Sequence, residues 1–236
     1  MKKPILMIAI VFVATTTFAQ NKDWAQYGRY EKQNAEITTF PDVVFMGNSI
    51  TDNWYKLDEP FFKNNNFAGR GISGQTTVEM LARFRKDVVE LNPKAVVILA
   101  GINDIAQNNG SIKLENVLSN IISMSELARY HKIKVILCSV LPCNQFGWRP
   151  DIQPSEDVKH LNAMIKDYAC KNKMTFVDYY TPLVNDAGGL SPELSKDGCH
   201  PVFNCYTTME LIVTKGIKKA LKNRKTYDVS SPKEDL

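Results

Sequence analysis

Residues 95–106 read AVVILAGINDIA. The run from Ala95 to Gly101 is apolar without alternation, so a strand built from it would bury both faces, as strands inside a parallel sheet do. A polar cluster, GINDIA, follows at once. The same pattern recurs along the chain. VVFM (43–46), NFAG (66–69), KVILCSV (134–140) and TFVDYY (175–180) are further short apolar runs, and helical periodicity fills the intervals at 76–91, 113–131, 156–172 and 204–222. In the first of those intervals Val78, Leu81, Phe84, Val88 and Leu91 recur at three- and four-residue steps. Buried strands alternating with helices predict a three-layer α/β/α domain around a central, mostly parallel five-stranded sheet.

Ligands of such sheets sit beyond the carboxyl ends of the strands. The informative residues are therefore those just after each apolar run: GNSIT, GRGISGQT, GINDIA and LPCNQFGWR, joined by DGCHP (197–201) before the last helix. These segments are expected to converge on one rim.

Gly69 to Gly74, GRGISG, matches the dinucleotide fingerprint G-x-G-x-x-G. That fingerprint carries meaning only between a buried strand and a helix, with an acidic residue closing the next strand about 20 residues on. Here the preceding NNFA is a weak strand, and Asp87 and Glu90 fall inside the following helix. The nucleotide reading fails, and the glycines need another explanation.

The chain has 236 residues, enough for one sizeable core. It begins MKKPILMIAIVFVATTTFAQ: two lysines, an apolar run from about Ile5 to Val13, then Thr17 and Ala19 placed as a small-residue cleavage signal. We read 1–19 as a signal peptide cut after Ala19, because the apolar run falls short of the ~20 residues that span a bilayer. No Cys stands near the cut, which argues against a lipoprotein. Residues 20–225 are then one domain and 226–236, ending SSPKEDL, a flexible tail. The expected location is the periplasm or the medium, with no stable membrane insertion after cleavage. The formal charge of +4 is scattered, so no nucleic-acid surface is expected. Five cysteines leave at least one unpaired. Cys138 reads as a small buried residue, and Cys199 with Cys205 could bridge a short loop.

Acyl transfer needs a nucleophile, a base, a group that orients the base, and donors aimed at a developing oxyanion. Ser49 follows the first strand at a turn, where its hydroxyl could stand free; read blandly, it is a helix N-cap. Of three histidines, His131 lies at a helix end and His160 within the helix KHLNAMIKDY, which leaves His200 in a loop as the base. Asp197, three positions earlier, could return to one ring nitrogen while the other faces Ser49. The order Ser, Asp, His occurs in hydrolases. A metal reading of Asp197 and His200 lacks a completing ligand set, so no metal or cofactor is expected.

GNSIT, ISGQT, GIND and DGCHP resemble, in order, the four blocks of the SGNH hydrolases, or GDSL-type esterases, which have a flavodoxin-like fold. The likeness runs from Gly47 to His200, and it resembles most the bacterial acetylhydrolase and carbohydrate-esterase members. Asn48 stands where the family's name motif has Asp. The resemblance implies that the amide of Ser49, the backbone N–H of Gly74 and the side-chain N–H of Asn103 form an oxyanion hole. Glycine at 74 would let a backbone amide approach the substrate closely. Read blandly, Asn103 is a turn residue. The implied activity is a serine esterase cleaving short-chain, acetyl-type esters through an acyl-enzyme, with a small-molecule or glycan ester as substrate. A lysophospholipase or thioesterase, or a catalytically silent carbohydrate-binding protein of the same fold, are the alternatives. Arg70, Phe146 and Trp148 are candidates for substrate contact, and Trp54 is a further rim aromatic that suits a sugar face or core packing alike.

Overall fold

The computed structural model describes residues 23–222. The leader (1–19) and the terminal segment 226–236 lie outside the described residues. Five strands, β1 (Val43–Gly47), β2 (Phe67–Gly71), β3 (Ala95–Leu99), β4 (Lys134–Cys138) and β5 (Thr175–Val177), form one sheet in the order β2-β1-β3-β4-β5. Every neighbouring pair is parallel. The interior strands β1 and β3 are buried along their whole length, as the unbroken apolar runs predict.

Helices α1 (Glu31–Ala35), α2 (Ser49–Leu57), α3 (Glu59–Asn64), α4 (Thr77–Phe84), α5 (Ile102–Ile105), α6 (Leu114–Tyr130), α7 (Ser155–Lys171), α8 (Tyr180–Leu183) and α9 (Phe203–Lys222) complete the chain order. α2, α3 and α9 pack on one side of the sheet, and α4, α6 and α7 on the other. The chain leaves β1 for β2 in one direction and crosses back over β1 to reach β3. The carboxyl ends of β1 and β3 therefore flank the topological switch point, where open α/β sheets bind ligands.

Several boundaries differ from the sequence reading, and three of them have a clear hydrogen-bonding reason. β4 stops at Cys138 because the Asn162 side chain, from α7, takes over the backbone of Val140, accepting its N–H at 2.7 Å and donating to its carbonyl at 3.0 Å. β5 stops at Val177 because the amides of Tyr179 and Tyr180 donate to the Ser139 hydroxyl instead of to a strand. The helix read over 76–91 changes hand-hold midway: α4 passes into a π-helical turn at Arg85–Val89, which brings Asp87, Val88 and Val89 all inward.

The two glycines left over from the rejected fingerprint have a packing role. Gly69 and Gly71 lie inside β2, under α2. A Cβ on Gly71 would stand 2.2 Å from the Asp52 amide nitrogen, and one on Gly69 would stand 2.8 Å from the Tyr55 ring. Only bare backbone lets α2 lie this close to the sheet. Trp54, on that helix, is 1% exposed and stacks between Phe61 and Tyr206 at 5.5 and 5.4 Å. It is a core residue and not part of a rim.

Candidate active site

Ser49 is the first residue of α2, immediately after the turn that leaves β1. Asn48 caps that helix, its side-chain oxygen accepting the Ile50 amide at 3.0 Å. Asn and Asp cap about equally well, so Asn48 keeps the local geometry that an Asp would give. As a first-turn residue Ser49 carries an amide with no helical carbonyl to donate to. α9 braces this turn from behind, with the Tyr206 hydroxyl donating to the Ile50 carbonyl at 2.8 Å.

His200 comes from the loop before α9, and its Nε2 lies 2.9 Å from the Ser49 hydroxyl oxygen. Its Nδ1 is 2.6 Å from one oxygen of Asp197. The other Asp197 oxygen accepts the His200 amide at 2.7 Å, the Cys199 amide at 3.0 Å and the Ser195 hydroxyl at 3.2 Å. Burial alone would raise the Asp197 carboxyl. The His200 amide and ring and the Cys199 amide outweigh it and hold the carboxyl down at about 2. Asp197 is thus an ionised acceptor throughout the neutral range, fixed at both oxygens. The described residues contain no cluster of three metal-ligating side chains.

Gly74 and Asn103 reach the same place from β2 and β3. Gly74 adopts φ +83°, with open space where a Cβ would be. In this structure the left-handed backbone, not crowding, is what calls for glycine. Asn103, 3% exposed, donates one side-chain N–H to the Gln75 carbonyl at 2.9 Å, which fixes the amide plane and leaves its second N–H for the cleft. Beside it Asp104 accepts the Thr77 amide at 3.0 Å and the Thr77 hydroxyl at 2.6 Å, tying the Asn103 turn to the start of α4. Burial pushes the Asp104 carboxyl up to about 6.

Ser49, Asp197, His200, Gly74 and Asn103 all line one cleft of about 480 Å³. Its remaining wall is Asn53, Ser73, Asn108 and Trp148. Trp148 is 42% exposed, with its ring 5.7 Å from that of His200. Its indole N–H points to Asn108 at 3.4 Å, and Asn108 in turn donates to the Gly74 carbonyl at 3.1 Å. Asn53, Ser73 and Asn108 belong to the polar rim segments GNSITDNW (47–54), GRGISGQT (69–76) and GINDIAQNNGS (101–111), although the sequence does not single them out. Asn53 carried a usable signal, being one helical turn beyond Ser49.

Two substrate-contact candidates sit elsewhere. Arg70 is buried in β2, where its guanidinium donates to Asn34 and to the Gly69 carbonyl and lies over the Tyr30 ring. With its donors engaged there, Arg70 is not among the residues that line the cleft. Phe146 is 1% exposed and supports Trp148 from below at 5.0 Å, so Trp148 alone offers a ring to solvent. The suggested Cys199–Cys205 bridge is also absent: all five cysteines are free, and the Cys199 thiol hydrogen-bonds that of Cys143. His160 lines a separate pocket with Asp157 and Lys113.

A hydroxyl held by an imidazole, itself held by a carboxylate, beside N–H groups from three strand ends, can carry out acyl transfer. Comparison with known proteins agrees. A GDSL-like lipase from Bacteroides thetaiotaomicron is 46% identical and superposes with a TM-score of 0.81 over 84% of this chain and 99% of that one. An acetylxylan esterase from Geobacillus stearothermophilus, in a catalytic-mutant form, shares the fold at 18% identity, with a TM-score of 0.62 over 77% of this chain and 95% of its own. The uncharacterized lipoprotein YqeF of Bacillus subtilis is 31% identical over 120 residues, 44% of this chain, which spans about half the length of that relative (49%). Residues 45–202, a span that runs from β1 through His200, match the GDSL-like lipase/acylhydrolase family, and the chain belongs to that family of ester-hydrolysing enzymes.

Proposed function

We propose that this esterase works through an acyl-enzyme on Ser49 and acts on short, acetyl-type esters, with an O-acetylated carbohydrate as its substrate. The Ser49 hydroxyl attacks the ester carbonyl as its proton passes to His200 Nε2. Asp197, on the Nδ1 side, keeps the ring in the tautomer that can take that proton and stabilises the imidazolium. The oxyanion accepts N–H bonds from Ser49, Gly74 and Asn103. His200 then protonates the departing alcohol, and water repeats the sequence to release the acid.

The observation that carries the substrate assignment is the cleft wall. Asn53, Ser73 and Asn108 supply amides and a hydroxyl, and Trp148 supplies one exposed ring, while no aliphatic side chain among the described residues lines the cleft. Polar groups around a single aromatic face suit a sugar. A long acyl chain would need apolar surface, since each buried CH₂ is worth about 0.8 kcal/mol, roughly fourfold in kcat/KM. Across p-nitrophenyl acetate, butyrate, octanoate and palmitate, kcat/KM is therefore expected to be highest for acetate, and acetate should be released from acetylated polysaccharide. A steady rise to octanoate would reassign the enzyme to lysophospholipid or thioester substrates. Acetate preference without polysaccharide turnover would overturn the glycan part alone.

Export belongs to the same proposal. It rests on the leader at 1–19 and on the lipoprotein name of the Bacillus relative. No helix among the described residues is long and apolar enough to cross a membrane. Mass spectrometry of the native protein is expected to find a chain beginning at or next to Gln20; an intact Met1 would refute cleavage.

A further inference from the structure

Behind the cleft lies a buried charged network that the acyl-transfer chemistry does not use. Arg83, on α4, and Asp87, in the π-helical turn, are both 0% exposed and paired at 2.9 Å. Asp87 alone would neutralise the guanidinium, yet Arg83 spends its other donors elsewhere. Nε donates to the Gln75 side-chain oxygen at 2.6 Å, and Nη2 donates to the carbonyls of Gly47 at 3.1 Å and Arg70 at 2.9 Å.

Those acceptors lie on the segments that carry the oxyanion donors. Gly47 ends β1, two residues before Ser49. Arg70 lies in β2, on the strand that runs into the Gly74 turn. Gln75 follows Gly74 directly, and its carbonyl is the acceptor that orients Asn103. A guanidinium is a rigid planar fork, so it fixes the relative positions of whatever it binds. Asp87 is itself held, because Asn34 donates to its second oxygen at 2.9 Å while accepting from Arg70. The π-helical turn places Asp87 at the buried end of this chain of bonds.

We propose that Arg83 is a positioning residue for the oxyanion hole, setting the spacing among the amides of Ser49 and Gly74 and the side chain of Asn103. The proposal rests on the assignment of those three donors above. Oxyanion donors act by being preorganised, and misplacement by about 1 Å can cost about 10² in rate.

Arg83→Lys keeps a charge for Asp87 but has a compact ammonium in place of the fork. In protein that near-UV circular dichroism finds folded, kcat for p-nitrophenyl acetate is expected to fall about 10- to 100-fold with KM little changed. Labelling of Ser49 by a fluorophosphonate should slow in parallel, since that reaction builds charge in the same hole. Gln75→Met removes the Arg83 Nε acceptor and leaves the strand carbonyls in place, so the same split is expected with a smaller loss. Val213→Ala, at a buried α9 position away from the cleft, serves as a control that lowers Tm while leaving kcat unchanged. Should Arg83→Lys not fold, Gln75→Met decides. Folded variants with kcat within about twofold of wild type, while Asn103→Ala remains slow, would make Arg83 purely structural and leave the hydrolytic assignment standing. Full turnover by Ser49→Ala would remove both.

Discussion

Ser49→Ala is expected to lower kcat by about 10⁶, His200→Ala by a similar factor, and the double variant by little more, because the members of such a triad act as a unit. The geometry explains the non-additivity. The Ser49 hydroxyl is 2.9 Å from the one nitrogen that can take its proton, and that nitrogen is aimed by the 2.6 Å bond from the far side of the ring to Asp197. Without the imidazole the hydroxyl remains a weak nucleophile; without the hydroxyl the imidazole has nothing to activate. Asp197→Ala should cost less, about 10⁴, since orientation is then partly lost but the base survives. Turnover of p-nitrophenyl acetate gives the rates, and fluorophosphonate labelling should disappear in Ser49→Ala. A wild-type protein that neither turns over nor labels would point to the silent carbohydrate-binding alternative. His160→Ala is the internal control, as that ring sits in a different pocket. If it abolished turnover in a folded protein while His200→Ala did not, the base would be misassigned.

The sheet was legible because strands buried on both faces leave unbroken apolar runs, as in β1 and β3. Two short helices on the far side, α2 and α3, were not. α2 buries Ser49, Thr51 and Asp52 along with Ile50 and Trp54, so most of its buried residues are polar and the apolar period is masked. The polar clusters could be read from strand ends, but their partners could not. Arg70 sits in a rim-like string, but the strand runs on through Gly71 and the buried guanidinium is taken up by Asn34 and the Gly69 carbonyl. Arg83 and Asp87 look like ordinary helix-surface charges, although their spacing from Met80 and Phe84 puts them on the apolar face. That spacing was the available signal. Distinguishing Trp148 from Phe146 required knowing which ring lies beneath the other.

Asn103→Ala is expected to slow acyl-enzyme formation by about 10² to 10³ in kcat, with a much smaller change in KM. The asymmetry follows from what the side chain already does in the resting protein. One N–H is committed to the Gln75 carbonyl at 2.9 Å, so the amide cannot swing to follow a substrate, and the other N–H is held facing the cleft. A planar ester carbonyl carries only part of the negative charge that its oxygen acquires once Ser49 has added. A donor fixed beforehand therefore gains most of its bond in the transition state, and an interaction strengthened only there appears in kcat. Asn103→Asp sharpens the test. It has nearly the same shape but puts acceptors where N–H groups were, and at neutral pH it opposes the oxyanion, so a folded Asp variant should be slower than the alanine one. Burst kinetics with p-nitrophenyl acetate separate acylation from release. A loss confined to KM in Asn103→Ala, with Asp no worse than Ala, would make Asn103 a substrate-binding residue and leave the amides of Ser49 and Gly74 to stabilise the oxyanion.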